Sequence, residues 1–278
     1  MKMSASVADQ LCYCTVRIIC QNKQGETRTG TGFLFRFEDH NSKHIPLVLT
    51  NKHVVSGMTD AVFVMTRSDS NGNPIYSDYS SITITDLGSM ILNHPESEVD
   101  LCAIPFAPIL LSARSKGINL YYSIFTTDLI PSQAQLDQLQ AIEEIIMIGY
   151  PNGLWDDINN MPIFRRGITA THPRFDYRGK KEFMIDAACF PGSSGSPVLI
   201  YNAFGYTTSD GLIHINKSRL YLMGLLFAGP QHTVKGDIQI VNIPTAQVPV
   251  SISSIPNNLG IVIKAERILE LRPLIPTE

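Results

Sequence analysis

The run Pro191-Gly192-Ser193-Ser194-Gly195-Ser196-Pro197-Val198 surrounds serines with residues small enough for another backbone to come close. Consecutive amides in such a turn can converge on one oxygen, which is what holding an oxyanion requires. The plainer reading of the run is a Gly/Ser surface turn. A serine hydroxyl is a weak nucleophile until a base takes its proton, and the base is usually a histidine whose tautomer a buried carboxylate fixes. One His and one Asp stand in matching strand-end contexts. Leu49-Thr50-Asn51-Lys52-His53-Val54-Val55 puts His53 just after a buried apolar run, and Val99-Asp100-Leu101-Cys102-Ala103-Ile104 puts Asp100 at the start of another. The chemistry open to such a set is nucleophilic attack on a carbonyl with an oxyanion intermediate.

Rivals exist for each residue. His40, His44, His94, His172, His214 and His232 lack a matching strand-end motif, and His44 is the nearest competitor of His53. Asp86 is the rival of Asp100. Ser193 or Ser196 becomes the nucleophile if the register shifts, but Gly192 two residues before and Gly195 one after favour Ser194. Position 196 is Ser, so the run is not the Gly-x-Ser-x-Gly elbow of α/β-hydrolases.

The elements that must carry these residues read mainly as short strands. Runs at 11–20, 31–37, 46–50, 61–66, 81–86 and 100–105 are apolar or alternating, and Asn71-Gly72 marks a hairpin between two of them. From about 111 to 143 the chain turns polar and Gln-rich, with Ser132 placed to cap a short helix. Strand patterns resume at 145–148, 167–171, 182–185, 198–201, 219–227 and 260–263, and 265–271 is the best remaining helix. Many short strands with turns between them predict sandwiches or barrels. The expected fold class is all-β, with two six-stranded antiparallel barrels and a short C-terminal helix. The expected division is a first barrel over about 12–112, a connection over about 113–142, a second barrel over about 143–250, and a strand and helix over about 251–278.

With those motifs in place, the chain resembles the trypsin-like (chymotrypsin-fold) serine peptidases, and among them the bacterial HtrA-like group. Thr50-Asn51-Lys52-His53-Val54-Val55 resembles that group's histidine motif, Asp100-Leu101-Cys102 its acid motif, and Gly192-Ser193-Ser194-Gly195-Ser196-Pro197 its serine motif. Gly30-Thr31-Gly32-Phe33 resembles the opening strand, and Gly149-Tyr150-Pro151-Asn152-Gly153 the start of the second barrel. The order His, Asp, Ser is that of this class. His53 and Asp100 are 47 residues apart, against about 45 in the class template.

The resemblance implies a serine endopeptidase that works through an acyl-enzyme. Ser194 attacks, His53 moves the proton, Asp100 orients the imidazole, and the amides of Gly192 and Ser194 form the oxyanion hole, with no cofactor and no metal. Ser193 replaces the Asp that pairs with a cut N-terminus in digestive relatives, so that activation switch is not expected. Ala188 falls at the floor of the specificity pocket, and Phe227, Ala228 and Gly229 on the strand that pairs with substrate. Phe227 also replaces a serine that supports the acid, so Asp100 needs other donors. Small or medium apolar P1 residues are the default expectation. His232 and the Ser196-Pro197 ending, which resemble glutamyl endopeptidases, keep Glu or Gln open. An inactive relative that binds extended peptides, or a scaffold subunit, is the alternative.

Composition bounds the rest. Of 278 residues, 44% are hydrophobic and 17% charged, with 22 Lys plus Arg against 25 Asp plus Glu and a net charge of −3. That excludes a mostly disordered chain and gives no basic excess for nucleic acid or an anionic membrane. The five cysteines, Cys12, Cys14, Cys20, Cys102 and Cys189, are an odd number without zinc spacing. No signal-like stretch opens the sequence, so a cytoplasmic protein with reduced thiols is expected. About 28 residues after Val250 leave no PDZ-like extension in the expectation. The expected partner is a polypeptide substrate, with partner subunits in a regulated complex as a further expectation.

Overall fold

The computed structural model describes residues 6–37, 46–229, 231–235, 252–256 and 258–275, with only the backbone at 231–235 and 252–256. In chain order the elements are α1 (Val7–Leu11), β1 (Thr15–Gln21), β2 (Thr27–Arg36), β3 (Leu47–Thr50), α2 (Lys52–Val55), β4 (Asp60–Ser68), β5 (Pro74–Thr85), β6 (Leu92–Asn93), β7 (Cys102–Pro105), α3 (Ala107–Ser115), β8 (Phe125–Thr126) and α4 (Gln133–Asp137). Then come β9 (Glu144–Gly149), β10 (Ile163–Thr169), β11 (Glu182–Asp186), β12 (Pro197–Asn202), β13 (Gly205–Thr207), β14 (Ile213–Ile215), β15 (Arg219–Ala228), β16 (Gln231–Lys235), β17 (Ile252–Pro256), β18 (Leu259–Lys264) and α5 (Glu266–Leu269).

The second half is the expected closed barrel of six antiparallel strands, ordered β10-β11-β18-β15-β12-β9. Its closing strand, β18, lies beyond the residue-250 boundary and pairs with both β11 and β15. The first half departs from a six-stranded barrel. It is an eight-stranded sheet ordered β5-β4-β1-β2-β3-β7-β6, with β8 added parallel to β2, and no pairing between β5 and β6 closes it among the described residues. β6 is only two residues long, too short to carry a closing ladder. α3 takes part of that role instead, contributing Ile109 and Ala113 to the core under the sheet. That helix runs to Ser115, across the expected end of this half.

Strand alternation explains how the halves join. A strand sends successive side chains to opposite faces. On β2 Leu34 points into the first half's own core, while Phe33 and Phe35 enter a second core shared between the halves. β3 repeats this with Val48 against Leu47 and Leu49, and β7 with Cys102 and Ile104 against Ala103. From the barrel side, Ile148, Leu199, Leu222, Leu225 and Ile263 enter the shared core, while Met147, Val198, Ile200, Met223 and Leu226 fill the barrel. These strands are buried on both faces, and each fully buried Phe or Leu contributes about 1.5–3 kcal/mol. α5 adds Ile268 to the shared core. The predicted cap is present: Ser132 and Gln135 form a capping box at the start of α4.

None of the five cysteines is in a disulfide. Among the described residues no group of His, Cys, Asp or Glu is placed to hold a metal ion, and no helix is long and apolar enough to cross a membrane.

Candidate active site

The single turn α2 follows directly from β3, and its first residues grip the loop that precedes β7. Asn51 donates through Nδ2 to the Asp100 carbonyl at 2.7 Å. Lys52 Nζ donates to the carbonyls of His94, Glu96 and Ser97 at 3.2, 2.9 and 3.3 Å. The His53 amide donates to Asp100 Oδ1 at 3.0 Å, and His53 Nδ1 lies 2.5 Å from Asp100 Oδ2. Three consecutive residues therefore fix the acid's backbone, its loop and its carboxylate. The amides of His53 and Lys52 are the backbone donors that the Asp100 carboxylate finds.

The His53 side chain is 48% exposed and that of Asp100 22%. Burial by itself pushes the Asp100 carboxyl up, but the bond from the His53 ring, its charge, and the two amides outweigh this. They hold Asp100 below the usual carboxylate range. With Nδ1 occupied by Asp100, the other ring nitrogen is the one left for proton transfer. Of the rivals, Asp86 sits in a left-handed turn after β5 with φ 56°, and His94 is buried. His40 and His44 lie outside the described residues, as does the His232 side chain.

The serine run is shaped by two glycines. Gly192 has φ +83° and Gly195 φ +86°, a region L side chains rarely adopt. A Cβ on Gly195 would stand 1.9 Å from the Thr31 carbonyl oxygen and 2.7 Å from Thr50 Oγ1, so the loop packs directly on the strand leading to His53. Of the three serines, Ser193 and Ser196 are fully buried, and only Ser194 is partly exposed. No hydrogen bond joins Ser194 Oγ to the His53 ring. Catalytic bonds of this kind are often long before substrate arrives.

The loop's amides have defined directions. The Pro191 carbonyl accepts the Asn152 amide at 2.6 Å, and the Ser193 carbonyl accepts the Ser196 amide at 3.0 Å. In a trans peptide the N–H points opposite to the C=O. The amides of Gly192 and Ser194 therefore face away from those bonds, and among the described residues neither donates elsewhere.

Thr31, on β2 of the first half, holds this loop in place. Its amide donates to the Ser194 carbonyl at 2.9 Å. Its Oγ1 donates to the Gly192 carbonyl at 3.0 Å and accepts the Tyr150 amide at 3.1 Å. The sequence motif singled out Thr31 without showing this contact, which depends on the second half. Ala188 and Phe227 are partly buried, Ala228 likewise, and Gly229 is exposed. The register of β15 against β18 shifts between Leu226 and Ala228, a bulge at Phe227.

The sequence matches the trypsin-like peptidase domain over residues 30–203, more than half of its length. The chain belongs to the trypsin-like peptidase family. Among solved structures it is similar to the HtrA-type protease AlgW, a serine-to-alanine variant with a tripeptide, at 15% identity and TM-score 0.48. That likeness covers 97% of this chain and 63% of the other, so this chain spans less than two thirds of it. It is also similar to Rv3671c from M. tuberculosis H37Rv. The inactive serine-to-alanine form gives 14% identity, TM-score 0.44 and coverage of 94% and 86%, and the active form 15%, 0.44, 98% and 84%. No curated protein matches the sequence.

Proposed function

We propose that the protein is a serine endopeptidase with Ser194, His53 and Asp100 as its triad. The observation that carries this reading is the His53–Asp100 bond of 2.5 Å beside a glycine-framed loop whose one accessible serine is Ser194. Ser194 Oγ attacks the scissile carbonyl carbon as His53 takes its proton. The tetrahedral oxyanion is received by the amides of Gly192 and Ser194. The imidazolium, steadied by Asp100, then gives the proton to the leaving amine, and an acyl-enzyme forms. Water attacks the ester with His53 again as base, which releases the acid product and restores Ser194. The substrate is an extended polypeptide, paired along Phe227–Gly229 with its P1 side chain over Ala188.

A fluorophosphonate probe is expected to label the wild type on Ser194 and to leave Ser194→Ala unlabelled. Equal labelling of both overturns the proposal. The missing Ser194–His53 bond favours one second reading, peptide binding without turnover. Saturable binding of extended peptides with neither labelling nor cleavage selects it.

A further inference from the structure

β1 and β2 pair with Arg17 directly opposite Thr31, and residues paired in this way project from the same face of the sheet. Thr31 uses that face to hold the Gly192 and Ser194 carbonyls. Arg17 uses it to hold another segment, the connection from β9 to β10. Its guanidinium carbon lies 3.9 Å from the centre of the Trp155 ring, and a Cβ on Gly153 would stand 3.3 Å from its Nη2. Arg17 Nε and Trp155 Nε1 are both buried without a hydrogen-bond partner. Among the described residues no carboxylate pairs with Arg17. The ring face is the attraction left to this cation.

The segment so held reaches the Gly192 amide within a few residues. The Gly153 and Leu154 amides close a tight turn onto the Tyr150 and Pro151 carbonyls at 3.0 and 2.8 Å. Asn152 and Gly153 are both left-handed, with φ 51° and 71°, and a non-glycine residue rarely stays there unless its surroundings hold it. In this conformation the Asn152 amide donates to the Pro191 carbonyl at 2.6 Å. That carbonyl and the Gly192 amide are two ends of one planar peptide, so the bond sets which way the amide faces. The turn also packs on Gly192, where a Cβ would stand 2.7 Å from the Tyr150 carbonyl oxygen. Farther along, Ser77 Oγ donates to Asn159 Oδ1 at 3.0 Å and Asn160 Nδ2 to Thr66 Oγ1 at 3.2 Å. Of these ties to the first half, the Arg17–Trp155 stack is the nearest in sequence to Asn152.

We infer that Arg17 and Trp155 are a positioning pair for the oxyanion hole. The cation of the first half, acting through the indole ring, keeps the Asn152 amide on the Pro191 carbonyl and so keeps the Gly192 amide turned toward the oxyanion. The inference rests on the serine-peptidase reading and deepens it.

The test follows fluorophosphonate labelling of the wild type, Arg17→Met, Arg17→Lys, Trp155→Leu and Trp155→Phe, reading the rate constant and the final extent separately. Trp155 is the one tryptophan of the chain, so its emission reports on the stack in the wild type and the Arg17 variants. Arg17→Met keeps an unbranched apolar stem and removes the charge. It is expected to slow labelling by about tenfold, less than the roughly 10²–10³ lost with an oxyanion donor, to shift the Trp155 emission and to reach the wild-type extent. Trp155→Leu is expected to slow labelling alike, and it carries the comparison from the other side of the seam if Arg17→Met does not fold. Arg17→Lys and Trp155→Phe, which keep a cation and a ring, are expected to recover most of the rate. A reduced extent at an unchanged rate constant marks a loss of folded protein alone and overturns the inference. A shifted emission at an unchanged rate constant also overturns it, while the serine-peptidase reading stands. A wild type that is not labelled at all overturns both.

Discussion

His53 and Asp100 are fixed to one another inside the first half, by bonds that run from one helical turn to one loop. The Ser194 loop belongs to the barrel but is held in part from outside it. Thr31 of the first half contacts it at the Ser194 and Gly192 carbonyls, and Arg165 of β10 contacts it from behind. The His53–Asp100 pair is thus a local construction, whereas the Ser194 loop and the amides of Gly192 and Ser194 depend on how the halves meet. A perturbation of the seam should disturb the second group and spare the first.

The largest expected effect breaks the local side. Asp100→Asn replaces the carboxylate at the His53 ring with a neutral amide whose NH2 favours the wrong tautomer, and should lower kcat by about 10⁴-fold, with far-UV circular dichroism unchanged. A variant within tenfold of wild type would remove Asp100 from the mechanism. Next comes Gly195→Ala, where the positive φ and the 1.9 Å approach to Thr31 act together. Urea unfolding should show a loss above about 2 kcal/mol, and an unchanged midpoint would contradict the described loop geometry.

Thr31→Val separates the two sides directly. It leaves the Gly192 carbonyl and the Tyr150 amide without their hydroxyl partner, at about 1–3 kcal/mol. Fluorophosphonate labelling should slow by about 10–100-fold, less than the roughly 10²–10³ lost when an oxyanion donor is removed outright. The low-field imidazole proton of His53 should persist in the NMR spectrum. Its disappearance would show that the two sides are coupled after all.

The smallest effect concerns the loop that Lys52 grips. Burial pushes His94 down, and the nearby Glu270 carboxylate, with an oxygen 3.2 Å from Nε2, does not overcome this. Its Nδ1 accepts the Glu96 amide, as a neutral ring does. The folded value lies below the unfolded one, so the unfolded chain binds more protons between them. This contribution to stability is present above the unfolded value of about 6.5 and drains as pH falls toward the folded value. Unfolding midpoints at pH 7.5 and 5.5 should differ more in wild type than in His94→Gln. Asp100 behaves alike at lower pH, its contribution being lost as pH falls from its unfolded value, about 3.9, through the folded one.

Much of this was legible beforehand because it is local. The alternation of 33–35 and 47–49 reports two buried faces, Ser132 with Gln135 reports a cap, and the small residues around Ser194 report a tight turn. The same-half spacing of His53 and Asp100 was legible for the same reason. What was not legible is pairing at long range. Nothing in Leu92–Asn93 says that the first sheet stays unpaired at its ends, or that α3 fills part of its core. The hairpin β13–β14 lacks a strong apolar alternation in sequence. Thr31 stands in a quoted motif and Arg165 just outside the 167–171 run, and neither shows its contact until its partner, at 192 or 188, is brought beside it.

The two-faced strands also have a consequence for biosynthesis. The first half leaves the ribosome with Phe33, Phe35, Leu47, Leu49 and Leu101 facing a surface that Leu199, Leu222 and Ile263 have yet to supply. Until then it presents a broad adhesive face, on an unpaired sheet, for as long as the remaining half takes to be translated. A fragment ending near residue 112 is therefore expected to aggregate when made alone and to stay in solution when the second half is made beside it.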